Sequence, residues 1–299
     1  MLDVVIIGSG PAGITAAIYA KRANLNVAVV EKEYLGTGQI AESSRVDNYP
    51  GIPGIDGYSL GEKFREHAES LGVEFTEAQV LSLGQKDGIW IIGCDEDIML
   101  ESKAVIYATG CKNRPLGVPG EEKYYGRGLS FCAVCDGAFY KGKRVAVIGG
   151  GDTALDDAMY LSDICEKVYL VHRREFFRGS ASTLEKLKQK ENVEIIVNVR
   201  VEEITGDKKI DGIILDNKTK LNISGLFAAV GMIPQTELLK EFGVLDESNY
   251  VKASEDTKTT VNGLFAAGDV RTKQLRQVVT AAADGANAIY SVMEYLRNI

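Results

Sequence analysis

Two stretches of this chain begin alike, and that repeat limits the available folds more than any other feature. VVIIGSGPAG occupies Val4–Gly13 and VAVIGGGDTA occupies Val145–Ala154. In each, an apolar run of strand length meets a glycine turn and then a helical pattern, Ala12–Lys21 in the first case and Thr153–Leu161 in the second. Further apolar runs, Val27–Val30, Ala104–Ala108, Val168–Val171 and Leu226–Val230, mostly lack polar alternation. Such runs suit strands buried on both faces of a parallel sheet. Strand, glycine turn, helix, strand, met twice, predicts an α/β chain with two Rossmann-like, three-layer dinucleotide-binding domains. Length agrees, since 299 residues is long for one hydrophobic core. The Gly- and Pro-containing stretch Gly117–Gly120 is the expected break before the second unit. A last helix is expected over Thr280–Arg297.

Gly8, Gly10 and Gly13 form G-x-G-x-x-G, and Pro11 and Ala12 open the helix within it. Without Cβ atoms the turn can close and its backbone can approach a pyrophosphate, which the unpaired N–H groups of the helix N-terminus then attract. Glu31 ends the next strand, where a carboxylate can accept the hydroxyls of an adenosine ribose; the plainer alternative is a solvated strand end. Gly149, Gly151 and Ala154 give the variant G-x-G-x-x-A, enclosing Asp152 and Thr153. The strand after it ends in His172, Arg173 and Arg174, with Arg178 close behind, instead of an acid. Guanidinium forks suit a 2′-phosphate, so this site reads as NADP rather than NAD, with a basic solvated loop as the bland alternative.

Cys132-Ala133-Val134-Cys135 is followed at once by Asp136 and Gly137. Zinc would want four ligands, but there is no second Cys-x-x-Cys and the histidines are His67 and His172, so no metal is expected. Two readings stay open, a redox pair and two buried structural thiols. Thiol exchange needs a proton donor, for which Asp136 is the nearest titratable candidate; it serves equally well as a turn or helix-cap carboxylate. Cys94, Cys111 and Cys165 have no neighbouring partner and read as packing residues. The five cysteines are too scattered for a secreted disulfide framework. Lys plus Arg number 34 against 42 Asp plus Glu, and the net charge of −8 repels nucleic acid and anionic lipid, so neither is an expected partner. The first apolar run starts at Val4 without a basic leader, and no run reaches the ~18 apolar residues of a membrane span. A cytoplasmic location is expected.

Taken together, GSGPAG (Gly8–Gly13), GQI (Gly38–Ile40), VDNYPG (Val46–Gly51), ATG (Ala108–Gly110), CAVCDG (Cys132–Gly137), GGGDTA (Gly149–Ala154), HRREFFR (His172–Arg178) and AAGDVRTKQLRQVVTAAADGA (Ala266–Ala286) resemble the low-molecular-weight, bacterial-type thioredoxin reductases from end to end. The resemblance implies a discontinuous FAD domain, residues 1–113 and 243–299, with an inserted NADPH domain, residues 114–242, carrying a redox disulfide between Cys132 and Cys135. It further implies that Gln39, Asn48, Ala108, Thr109, Gly110 and Gly268 line the FAD site, that Asp269 meets the ribityl chain, and that Arg276 and Gln277 reach the isoalloxazine ring. Asp136 would be the acid, thioredoxin the acceptor and a homodimer the assembly. Departures are Thr37 for a usual glycine, Cys111 after ATG, and Ala138 for a frequent phenylalanine. Rival readings are a related flavin-dependent reductase or dithiol oxidase with another acceptor, a ferredoxin-fed reductase, and a non-catalytic dinucleotide sensor. A peroxide-system reductase would usually carry an extra N-terminal redox domain, for which the fingerprint at Gly8 leaves no room.

Overall fold

Val4, Val5, Ile6 and Ile7 all lie out of solvent, yet they feed two different cores. Val4 and Ile6 pack into one layer with the helices, and Val5 and Ile7 into the other with Trp90 and Tyr107. This is why the run lacks alternation: side chains on a strand point to opposite faces, and here both faces are covered. The computed structural model describes residues 1–33, 37–43 and 45–299. They divide into two units, Met1–Lys112 with Ile233–Ile299, and Asn113–Met232.

In the first unit, β1 (Leu2–Ile7) leads through α1 (Pro11–Arg22) to β2 (Val27–Glu31), and α2 (Gly57–Ser70) precedes β3 (Glu74–Glu77). Proline at the start of α1 fits because its missing N–H is one of the unpaired donors there, and Lys21 and Arg22 close the last turn against the helix dipole. The buried face of α1 is largely small, Ala12, Ala16, Ala17 and Ala20 with Ile14, which lets the helix sit close to the sheet. β4 (Val80–Lys86) and β5 (Ile89–Cys94) form a hairpin that joins β6 (Met99–Tyr107). β3, β2, β1 and β6 run parallel in that order, with Val4 opposite both Val27 and Ala104.

The chain then passes through β7 (Cys111–Asn113) into the second unit: β8 (Leu129–Ser130), α3 (Ala133–Asp136), β9 (Arg144–Gly149), α4 (Asp152–Ser162), β10 (Lys167–His172), α5 (Ala181–Lys188) and β11 (Val193–Val197). β12 (Val201–Gly206), β13 (Ile210–Leu215) and β14 (Lys220–Asn222) make a separate antiparallel sheet before β15 (Gly225–Ala229). The main sheet is parallel in the order β11, β10, β9, β15, β8. Val145 and Val147 face a core with α4, and Ala146 and Ile148 the opposite one.

The chain leaves this unit through β16 (Met232–Pro234), and the first unit is completed by β17 (Leu264–Ala266) and α6 (Val278–Leu296). β17 pairs parallel with Val105–Tyr107 of β6, on the same edge where the earlier residues of β6 meet β5. The expected α/β architecture of two dinucleotide-binding folds is therefore present. The hairpin β4–β5 and the sheet β12–β14 have no counterpart in the sequence reading. In β12 the exposed Glu202 and Glu203 leave no continuous apolar run, whereas β5 carries the apolar run Ile89–Ile92, which periodicity alone does not assign to a hairpin.

Candidate functional site

In the first unit Gly8, Glu31, Ala108 and Gly268 stand at or just past the carboxyl ends of β1, β2, β6 and β17, and strand order reverses between β1 and β6. Open α/β sheets bind ligands there. Gly8 has φ +102°, and a Cβ on it would lie 2.6 Å from the Ala108 carbonyl oxygen. A Cβ on Gly13 would lie 1.9 Å from the Gly8 carbonyl oxygen, so the turn closes only on bare backbone. Gly10 has nothing nearer than 3.9 Å from its own Cβ direction, and Gly38, before Gln39, packs its backbone against it. Pro11 and Ala12 begin α1 as expected.

Glu31 ends β2 with its carboxylate turned to the fingerprint: it accepts from the Ser9 N–H at 2.9 Å, the Ser9 hydroxyl at 3.0 Å and the Lys32 N–H at 2.8 Å. Each carboxylate oxygen has two lone pairs, so acceptor capacity remains for a ribose. Ala108 is buried, the Thr109 hydroxyl donates to the Gln235 carbonyl at 2.7 Å, and the Gly110 carbonyl accepts from the Gln235 N–H at 3.0 Å. Gln39 opens a short 3-10 turn, Gln39–Glu42. Asn48 donates to the Gln277 side-chain oxygen at 2.8 Å across 229 positions, and Gln277 caps α6.

Asp269 sits in the turn Gly268–Val270 after β17. Its Oδ1 is buried without a hydrogen-bond partner, and burial raises its pKa while Lys273 and Arg276 pull it back. An orphaned buried carboxylate oxygen is costly unless a ligand completes it, so this site fits a polyhydroxylated group such as a ribityl chain. Arg276 lies 4.3 Å over the Tyr250 ring and donates to the Asp269 carbonyl. Beneath it, the Cys111 thiol donates to the same carbonyl at 2.9 Å and is pushed up to about 12 by burial and the Asp269 charge. That thiol is inert at neutral pH, as are the other free cysteines, Cys94 and Cys165, which are also buried with raised pKa.

Sequence reasoning missed the group that holds this turn. Asp284 of α6 accepts from the Gly268 N–H at 2.8 Å, from Arg271 at 2.8 and 2.7 Å, and from Lys273 at 2.9 Å. Arg271 and Asp284 are each only 2 % exposed, so this is a buried, bidentate ion pair. A charged residue inside an otherwise small-residue helical run was the available signal.

In the second unit Gly149, Gly151, Asp152, Thr153 and Ala154 form the turn between β9 and α4. A Cβ on Gly149 would lie 2.4 Å from the Ala229 carbonyl oxygen and 2.7 Å from the Ala154 Cβ, the tight strand-to-helix approach that the variant fingerprint requires. Gly150, unassigned from sequence, is covered by the His172 ring, which a Cβ there would meet at 2.2 Å. The loop after β10 folds back onto the turn: Arg178 N–H donates to the Gly150 carbonyl at 2.7 Å, and Ser180 N–H to the Asp152 carboxylate at 2.7 Å. Burial, helped by the charges of Arg174, Arg173 and Arg178, holds His172 below its ordinary pKa, so the ring is neutral at pH 7. Those three arginines are exposed, and none forms an ion pair among the described residues. Three guanidinium groups without an ion pair among the described residues, beside a turn of dinucleotide-fingerprint sequence, fit an extra phosphate on a nucleotide.

Cys132 and Cys135 are joined in a disulfide with Cα atoms 5.3 Å apart. Cys132 caps α3, and its sulfur accepts from the Cys135 N–H. Asp136 ends that helix, with burial raising its pKa against a lowering by Ser130. The closed disulfide removes the alternative of two unreacted thiols.

The pyridine nucleotide-disulphide oxidoreductase family profile matches residues 2–285. The thioredoxin reductase of Bacillus subtilis strain 168 is 38 % identical over 305 residues, covering 99 % of this chain and 95 % of the relative. A 34.2 kDa protein of a rubredoxin operon in Clostridium pasteurianum is 39 % identical over 303 residues, covering 99 % and 97 %. Among solved structures, the thioredoxin reductase of Streptococcus pyogenes MGAS5005 superposes with a TM-score of 0.94 at 40 % identity, over 100 % of this chain and 99 % of that one.

Proposed function

Since this chain belongs to the pyridine nucleotide-disulphide oxidoreductase family, and within it to the low-molecular-weight thioredoxin reductases, we propose how its residues divide the work of that activity. The reaction is reduction of a thioredoxin disulfide by NADPH, with FAD as cofactor. Bound FAD supplies the two-electron relay between NADPH and the Cys132–Cys135 disulfide. The observation that carries the reading is that disulfide, closed at the head of α3 in the unit that also holds the second fingerprint.

The discontinuous first unit holds FAD. Gly8, Gly10, Pro11, Ala12 and Gly13 receive the pyrophosphate, Glu31 the adenosine ribose, and Asp269 the ribityl hydroxyls. Gln39, Asn48, Ala108, Thr109, Gly110, Gly268, Arg276 and Gln277 complete the pocket. Asn48 and Gln277 support this division because they already pair with each other, and Asp269 because its Oδ1 lacks a partner. In the inserted unit Gly149, Gly151, Asp152, Thr153 and Ala154 seat the NADPH pyrophosphate, while His172, Arg173, Arg174 and Arg178 take the 2′-phosphate. Cys132 and Cys135 exchange with the acceptor, and Asp136 moves the proton that a departing thiolate needs. A cytoplasmic homodimer is the proposed working form, on the family resemblance alone; sedimentation as a monomer at assay concentration would remove it.

The deciding experiment changes Cys132 and Cys135 together to serine. NADPH should still bleach the flavin, and thioredoxin reduction should vanish; surviving thioredoxin reduction refutes the assignment.

A further inference from the structure

We propose that Ser130 is a positioning residue for thiol–disulfide chemistry, its hydroxyl joining the Asp136 carboxyl to the backbone of Cys132. This rests on the proposed acid role of Asp136 and adds to it the side chain that holds the carboxyl in place. Ser130 closes β8, the edge strand of the second parallel sheet, and is buried. Its hydroxyl donates to Asp136 Oδ2 at 2.6 Å and accepts from the Cys132 N–H at 3.1 Å. Asp136 N–H in turn donates to the Cys132 carbonyl at 3.1 Å, so Ser130, Cys132 and Asp136 form a closed ring of hydrogen bonds around one sulfur's backbone. A hydroxyl that close to a carboxyl oxygen makes the strong, charge-assisted kind of bond once the carboxyl gives up its proton.

The chemistry explains the use. Breaking the Cys132–Cys135 bond consumes the electron pair drawn from NADPH and leaves two thiolates. Asp136, entering as the neutral acid, gives its proton to one of them and becomes a buried carboxylate. Burial favours the neutral acid, and the Ser130 hydroxyl stabilises the carboxylate left behind. When the dithiol attacks an oxidised thioredoxin, one thiol loses its proton back to that carboxylate, a new mixed disulfide forms, and the acceptor's own disulfide breaks. Ser130 thus keeps one group usable in both directions.

Among the described residues, Ser130 is the one side chain whose hydrogen bond acts on the Asp136 pKa. Tyr140, from the turn after α3, has its pKa raised by burial and by the Asp136 charge, and Lys143 lies 5.6 Å from the Tyr140 ring. From α4, Tyr160 packs against Gly137, where an added Cβ would lie 2.8 Å from its ring, and Asp157 of the same helix is raised to about 7 by burial and by Asp156, not by Asp136. Ser130 is the group that draws the Asp136 pKa down.

The test measures kcat for thioredoxin reduction against pH in FAD-loaded enzyme, normalised to flavin absorbance, for Ser130→Ala, Ser130→Thr, Asp136→Asn and the double change Ser130→Ala with Asp136→Asn. Asp136→Asn should abolish one inflection of the profile. Ser130→Ala should move that inflection to higher pH and lower kcat about tenfold, the worth of one charge-assisted hydrogen bond, with KM for NADPH unchanged. Ser130→Thr should keep the inflection in place, and Ser130→Ala should add no further loss once Asp136 is Asn. An unmoved inflection in Ser130→Ala, a shifted one in Ser130→Thr, or losses that multiply in the double change overturns the role of Ser130. If instead Asp136→Asn leaves rate and profile intact, the acid role of Asp136 falls first and Ser130 with it.

Discussion

Arg173 and Arg174 illustrate what a single side chain can determine. Both are exposed and without an ion pair among the described residues, and they follow a β10 that ends in a neutral, buried His172. Their charge is therefore available to a ligand rather than consumed within the chain. Replacing both by Ala should raise KM for NADPH about 10- to 100-fold, since hydrogen bonds to charged groups are worth about 1.5–3 kcal/mol, while KM for NADH changes little. Steady-state kinetics with the two nucleotides checks this, and equal effects would dismiss the 2′-phosphate reading. The arginines were legible in the sequence because they follow the strand directly. Ser130 was not, since nothing in one dimension distinguishes a serine two positions before a cysteine from any other loop serine.

Between elements, a buried ion pair in the first unit ties α6 to the turn after β17. Asp284 reaches across to Gly268 N–H, Arg271 and Lys273, and so fixes the turn that presents Asp269. Burial pushes the Asp284 pKa up, but hydrogen bonds and charge from Arg271 and Lys273 outweigh it, leaving it below the ordinary carboxylate value. The stability it contributes is therefore present above that ordinary value and lost as pH falls through the lowered one. Asp284→Ala leaves Lys273 buried without its partner and Arg271 with only the Glu255 carboxylate, at 3.2 Å, to pair with, and should cost about 3–5 kcal/mol in urea unfolding. Asp284→Asn retains an acceptor for the Gly268 N–H and should cost less. Equal losses in the two variants would mean that shape, not charge, holds the turn. Boundaries of β1, β2, β9, β10 and β15 and of α1, α4 and α6 were within two residues of their sequence limits because burial on both faces, proline at a helix start and glycine at a turn act locally, whereas β6 begins five residues before the run Ala104–Ala108, in its polar part Glu101–Lys103.

For the whole molecule, the first unit is assembled from both ends of the chain: β17 and α6, which follow the second unit in sequence, pack on β6 and α1, which precede it. A cofactor bound to that unit stabilises the folded chain by mass action, about 2.7 kcal/mol at a hundredfold excess over its Kd. Added FAD should therefore raise the thermal midpoint of the cofactor-depleted protein in proportion to the logarithm of its concentration, read by circular dichroism. A midpoint indifferent to FAD would contradict the cofactor assignment. Among the described residues no helix is long and apolar enough to cross a membrane. The amino-acid sequence by itself determined the two fingerprints, the parallel strands, the vicinal cysteines and the basic loop, because each is a short-range pattern whose backbone demands are met by its own neighbours. Only the tertiary structure decided that Asn48 meets Gln277, that Glu31 holds Ser9, that Asp284 locks the Gly268 turn and that Ser130 grips Asp136. Those contacts depend on how the sheets bring distant segments to one edge, and a hydrogen bond forms or fails within a few tenths of an ångström.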